Sequence, residues 1–184
     1  IIVAIVLMGN QKSSNNVIAA SMLAKVIPLY EQGLYEDAVN GQTAGNIVGL
    51  AEIVDKYGNT EYGQTAKIYL ANSYLFLNKN QEAFEVYSNY SGSNSLLKAA
   101  SIAGKAGYFE SNEQFAKAAD LYKEAVRIDK SNPSNPQYLL RAGKNLLKTG
   151  NKREAKTLLE TIKNDHKGST AAQEVDRYLI QAQS

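Results

Sequence analysis

The sequence predicts an all-α protein, an array of about four helical hairpins closed by a C-terminal capping helix. Three observations carry this prediction. Ala38, Ala83, Ala118 and Ala155 recur at intervals of 45, 35 and 37 residues, and nine positions before each stands a large apolar residue, Leu29, Tyr74, Phe109 or Leu146. Turn-forming residues lie inside each interval: Gln32-Gly33, Asn78-Lys79-Asn80, Ser111-Asn112 and Thr149-Gly150-Asn151, so the chain reverses there. Finally, residues 53–71 align without a gap against residues 162–180, an offset of 109 or about three repeats, pairing Ile53 with Ile162, Thr60 with Ser169 and Tyr69 with Tyr178.

The spacing has a packing reason. Two antiparallel helices approach closely only where one offers a small side chain to a bulky one of the other. Tyr87, Tyr122 and Leu159 stand four residues after the last three alanines, and Ala71, Ala106 and Gly143 stand twelve before them. This is similar to the tetratricopeptide skeleton, W-x₂-L-G-x₂-Y followed by A-x₃-F. A hairpin of this kind buries its faces only against neighbours, so the array is a tetratricopeptide-like superhelix with a capping end.

Taken in order, Ile1–Gly9 is apolar, and as a helix its first eight residues cover about 12 Å. A bilayer span needs about 20 residues. The stretch therefore reads as the end of an N-terminal transmembrane helix, residues 1–9. Asn10–Asn16, polar with one charge, reads as a linker, and residues 17–184 as the repeat domain. Sparse Lys/Arg beside the apolar stretch places that domain on the non-cytoplasmic side. Hairpins are expected over 17–56, 61–90, 95–129 and 136–165, with a lone helix near 169–182. The first departs from the pattern: Pro28 removes a backbone donor in its first helix, and Asn40–Asn46 interrupts its second. Thr60 and Ser169 supply hydroxyl N-caps in the two matched segments, and Pro136 suits a first helical turn.

Composition narrows function. The 184 residues include no cysteine and one histidine, His166, which excludes disulfides, thiolate metal sites and a cysteine nucleophile. The net charge of +2 supplies little drive toward nucleic acid. Residues 130–184 nevertheless carry ten Lys/Arg against five Asp/Glu, a basic third that steers toward acidic partners. Gly104-Lys105 and Gly143-Lys144 lack the Ser/Thr and preceding glycine of a phosphate loop. His166 replaces Tyr57 of the internal match and reads as a turn residue. No catalytic, cofactor-binding or metal site is expected.

The groove remains. Counted from the key alanines, Ile68, Tyr69, Asn72 and Phe76 line it in the second hairpin, and Arg141, Lys144 and Lys148 in the fourth. Apolar and aromatic walls with cations suit a peptide having apolar side chains and acidic character.

The stretches Gly33-Leu34-Tyr35-Glu36-Asp37-Ala38 and Lys56-Tyr57-Gly58-Asn59-Thr60-Glu61-Tyr62-Gly63, continued by Ala66-x₃-Leu70-Ala71-x₂-Tyr74, resemble membrane-anchored tetratricopeptide-like proteins of the Gram-negative envelope. The sequence is most similar to the ancillary Sec-translocon subunit family. That resemblance implies an inner-membrane, single-pass protein with its repeat domain in the periplasm. It also implies a non-enzymatic scaffold or chaperone-like adaptor for exported or envelope proteins, whose partners are translocon or envelope proteins. The alternative is a structural subunit of a larger membrane complex. The Tyr-Gly-Asn-Thr and Gly-Ser-Thr turns resemble the repeat lipoprotein of outer-membrane barrel assembly. Asn72 takes one position of the carboxylate clamp of other tetratricopeptide proteins, and Ile68 stands where that clamp has lysine.

Overall fold

The computed structural model describes the backbone of residues 2–183 and the side chains of residues 11–183. In chain order it has α1 (Ile2–Glu31), α2 (Tyr35–Asn40), β1 (Gly41–Gln42), β2 (Ile47–Val48), α3 (Leu50–Tyr57), α4 (Glu61–Phe76), α5 (Asn80–Ser88), α6 (Ser95–Ser111), α7 (Phe115–Ile128), α8 (Asn135–Lys148), α9 (Lys152–Asp165) and α10 (Thr170–Gln183). The expected hairpins are α4/α5, α6/α7 and α8/α9, with α10 as the lone last helix. Two compact units divide the chain, residues 1–92 and 93–184.

The repeat is written in the backbone as well as in the side chains. All four key alanines are fully buried. Five residues before each, the chain turns through the left-handed region at Gly33, Asn78, Glu113 and Gly150 (φ +79°, +59°, +58° and +78°). One residue later an amide reaches back to the carbonyl of the large residue nine before the alanine: Leu34 to Leu29 at 2.9 Å, Lys79 to Tyr74 at 2.8 Å, Gln114 to Phe109 at 2.8 Å and Asn151 to Leu146 at 2.9 Å. This is the Schellman closure of a helix end, repeated four times. Glycine occupies two of these turns without cost, whereas glutamate at the third holds a backbone that its Cβ disfavours. Glu113→Gly is therefore expected to raise stability by up to about 1 kcal/mol, read as a higher urea midpoint with unchanged helicity.

In the first unit the core joins Leu23, Val26 and Leu29 of α1, Ala38 and Val39 of α2, Leu50 and Ile53 of α3, and Ala66 and Leu70 of α4. The interruption expected at Asn40–Asn46 is real, and its flanks pair as a short antiparallel ladder, Gly41 with Val48 and Gln42 with Ile47. Helix α4 begins under two caps. The Thr60 hydroxyl accepts from the Gly63 amide at 3.1 Å, and the Asn16 side chain, on α1, accepts from the Tyr62 amide at 3.0 Å. Gly63 is buried in that first turn because a Cβ there would overlap the Tyr57 carbonyl and approach Gly58 Cα to 2.9 Å.

The second unit packs each helix on the next, and α10 on both α8 and α9. Its largest core cluster holds Leu139, Leu140, Leu159, Ile162, Ala171, Val175 and Leu179. At the α8/α9 crossing Gly143 faces Leu159, where a Cβ would stand 3.0 Å from Leu159 Cδ2, the small-against-large fit expected there. The hydroxyl bonds at the two matched helix starts recur. Thr60 Oγ1 donates to the Tyr57 carbonyl at 2.8 Å, and Ser169 Oγ donates to the His166 carbonyl at 2.7 Å. Ser169 Oγ also accepts from the Ala172 amide at 3.2 Å. His166 is a helix-ending residue, as read.

The localisation expected above is corrected. Among the described residues no helix is long and apolar enough to cross a membrane, so the inner-membrane, single-pass placement with a periplasmic repeat domain falls. The apolar side chains of the expected span end, residues 1–9, lie outside the described side chains. The Asn10–Asn16 stretch is part of α1, and that helix runs on through Pro28. From Ala19 onward its buried residues, Ala19, Leu23, Val26 and Leu29, form one stripe, and the last three join the core shared with α2, α3 and α4.

Candidate functional site

The residues expected to line a groove fall in both units. In the first, Ile68 is buried. Tyr69 meets the Tyr30 ring edge-on, with centroids 5.0 Å apart. Asn72 accepts from the Tyr87 hydroxyl and bonds to Tyr30, whose own hydroxyl is pushed upward mainly by burial. Phe76 stacks flat on Tyr35 at 4.2 Å with 6° between the planes, yet remains 58% exposed. Tyr30 also touches Tyr35 and Phe76 edge-on. The product is a four-ring surface assembled from α1, α2 and α4, with Leu34 and Leu75 exposed beside those rings in the chain.

Tyr30 and Tyr35 were missed by reasoning from the key alanines. Their signal was available: they flank the Gln32-Gly33 turn, and a reversal there brings both rings to one end of the hairpin.

In the second unit the three cations of α8 stand at i, i+3 and i+7, on one stripe. Each lies over an aromatic ring from another helix. Arg141 is 5.8 Å from the Tyr122 ring of α7, Lys144 is 5.1 Å from the Tyr178 ring of α10, and Lys148 is 4.2 Å from the Phe115 ring of α7. Such pairs hold a cation by the negative face of the ring while leaving it hydrated on the other side. Arg141 is the most constrained. Its Nη1 donates to the Tyr122 hydroxyl at 2.8 Å and lies 3.5 Å from Glu110 Oε2, and the Tyr122 hydroxyl donates to that same carboxylate oxygen at 2.9 Å. Nearly half of the Arg141 side chain remains exposed.

Tyr122 is fully buried, and burial drives its hydroxyl far above the ordinary value of 10.0, with Arg141 pulling back only in part. Unfolded, this tyrosine loses its proton near pH 10; folded, it holds the proton to higher pH. The folded state thus binds more protons at alkaline pH, and the advantage, complete below pH 10, is lost as pH rises toward the folded value. Urea unfolding between about pH 9 and about pH 11 is expected to show a shallower alkaline fall in Tyr122→Phe than in the parent. Equal slopes would place the ionisation elsewhere.

With this geometry in view, the chain can be set beside known proteins. A family model described as tetratricopeptide repeat matches residues 111–175. Among curated proteins none matches the sequence. Two crystal structures of the nearly identical TPR-like repeats assigned to a kinesin light chain of Podosopora anserina share the architecture. One, a form carrying a point substitution, superposes with a TM-score of 0.65 at 19% identity, covering 89% of this chain and 84% of that one. The other has a TM-score of 0.63 at 18% identity with the same coverage. Identities this low speak for fold alone. Nothing among these similarities supports the expected likeness to the ancillary Sec-translocon subunit family or its membrane anchor. The architecture itself is as expected: the chain is an all-α protein of tetratricopeptide-like helical hairpins.

Proposed function

We propose that this chain is a non-enzymatic protein-interaction module, a scaffold or adaptor that engages a polypeptide carrying acidic groups and apolar side chains. The observation that carries the reading is the α8 stripe, where Arg141, Lys144 and Lys148 are each held over a ring of a neighbouring helix. Fixed side chains lose less freedom when a partner binds, so the stripe is prepared for an anionic segment. The four-ring surface of the first unit is the corresponding apolar contact, with Phe76 and Tyr69 as its groove residues. Tetratricopeptide-like repeats are typically interaction surfaces rather than catalysts, which agrees with this reading.

The test separates encounter from retention. Exposed charges act mainly on the association rate and are screened by salt. Arg141→Glu with Lys144→Glu is expected to slow association of a short Leu/Glu peptide at low salt, with unchanged circular dichroism. Tyr69→Ala is expected to speed dissociation of a Leu-rich peptide without acidic residues, since that ring supplies an apolar contact. If both variants bind as the parent does, neither surface holds the partner.

A further inference from the structure

We propose that the four-ring surface of the first unit selects a cationic segment, an apolar stretch of its polypeptide partner studded with Lys or Arg. The inference rests on the reading of that surface as a polypeptide contact and names the charge that it prefers.

Three observations converge on it. First, the surface is apolar and open at Phe76. Phe76 is 58% exposed although its ring is stacked on Tyr35, and Leu34 and Leu75 are exposed beside it in the chain. Second, the α1 and α2 side of the surface carries one sign of charge, while on the α4 side Lys67 is bonded to the Asn89 carbonyl and Lys79 lies over Tyr74. No lysine or arginine occurs from Val26 to Asp55, whereas Glu31 follows Tyr30 and Glu36 and Asp37 follow Tyr35. Glu31 and Glu36 are exposed, and neither forms an ion pair among the described residues; Asp37 accepts from Gln42 Nε2 at 2.8 Å. The acids farther on are partly matched, since Glu52 pairs with Lys56 at 2.6 Å.

Third, the chain shows what its ring faces attract. In the second unit Phe109, Phe115, Tyr122 and Tyr178 each lie under a lysine or arginine of the chain itself. Among the described residues no cation lies over Tyr30, Tyr35, Tyr69 or Phe76. The nearest counterpart in that unit is Lys79, 6.0 Å from Tyr74. Ring faces with a negative quadrupole, bordered by unpaired carboxylates, attract a cation held on an apolar stem. Lysine and arginine side chains are of that form, and an acidic segment would meet repulsion from Glu31 and Glu36.

The experiment titrates the full chain into two fluorescein-labelled peptides of equal length and order, one Leu/Lys and one Leu/Glu, at physiological salt, followed by anisotropy. The Leu/Lys peptide is expected to bind, to lose about tenfold in affinity with Phe76→Ala, and to weaken severalfold with Glu31→Gln plus Glu36→Gln. Because Phe76 is mostly exposed, its removal leaves the core in place, which circular dichroism verifies. Glu160→Gln, in the second unit, controls for general charge and is expected to leave that affinity unchanged. The inference is overturned if the Leu/Lys peptide does not bind, if Phe76→Ala binds it as tightly as the parent, or if the two glutamates make no difference. Should the Leu/Glu peptide alone bind, and lose affinity with Arg141→Glu plus Lys144→Glu, the interaction module stands and the cationic preference falls. If neither peptide binds the parent, the interaction reading fails with it.

Discussion

Replacing Gly63 with alanine is expected to destabilise the protein by about 3 kcal/mol or more. The added methyl would occupy the space of the Tyr57 carbonyl, and its other near neighbour is Gly58 Cα. Both are backbone, so no rotamer change relieves the overlap; the end of α3 or the start of α4 has to move. That movement breaks the Thr60 and Asn16 caps, whose acceptors are placed for the present first turn. The internal match offers a control, because Ala172 occupies the equivalent position in α10. Alanine is accommodated there, so Ala172→Gly is expected to cost less than about 1 kcal/mol. Thermal melting followed by far-ultraviolet circular dichroism is expected to show a fall of about 6–12 °C for Gly63→Ala. An unchanged midpoint would mean that α3 and α4 do not approach as described.

The second large effect is expected at Leu159. Its side chain is fully buried and lies against Gly143, which has no side chain to move into a vacancy. Leu159→Ala is therefore expected to cost about 3–5 kcal/mol, the upper part of the range for buried leucine, because the site cannot collapse. Leu159→Met, which nearly conserves volume, is expected to cost less than about 1.5 kcal/mol. Urea unfolding of the two variants decides between a packing role and a mere preference for an apolar residue. Equal losses in both would point away from a cavity.

The alanine register was legible because it expresses a local rule. A reversing chain needs a left-handed residue and a small residue at fixed distances, and Gly33, Asn78, Glu113 and Gly150 meet that rule at the same distance from Ala38, Ala83, Ala118 and Ala155. The bounds of the last three hairpins followed from it, whereas the first, expected over 17–56, is three helices beginning with the longer α1. Asn10–Asn16 misled because polar composition resembles a linker, although the stretch contains neither glycine nor proline to end a helix. Placement in an inner membrane failed for a related reason. A short apolar opening was read as the end of a longer span, while from Ala19 onward the buried residues of α1 lie on one stripe.

At the candidate surfaces the sequence showed half of each arrangement. The spacing of Arg141, Lys144 and Lys148 was plain, but the rings beneath them come from positions 122, 178 and 115 on other helices. Helical periodicity says nothing about such partners. Ile68 was counted toward the groove by position, and burial within the first unit closes it off. Tyr30 and Tyr35 lie outside the best-matched repeats, so the register did not reach them.

The two caps on α4 imply an order of events in folding. Thr60 is three residues from the amide it serves, so that bond forms as soon as the first turn does. Asn16 serves an amide 46 residues away and contributes only after α1 has docked. The Thr60 cap thus closes a short loop and the Asn16 cap a long one, at greater entropic cost. Late arrival also means early departure. When only the Asn16 turn of α1 frays, the start of α4 keeps one cap and loses the other, so a local opening there is felt at the first turn of the next hairpin while Leu23, Val26 and Leu29 stay packed.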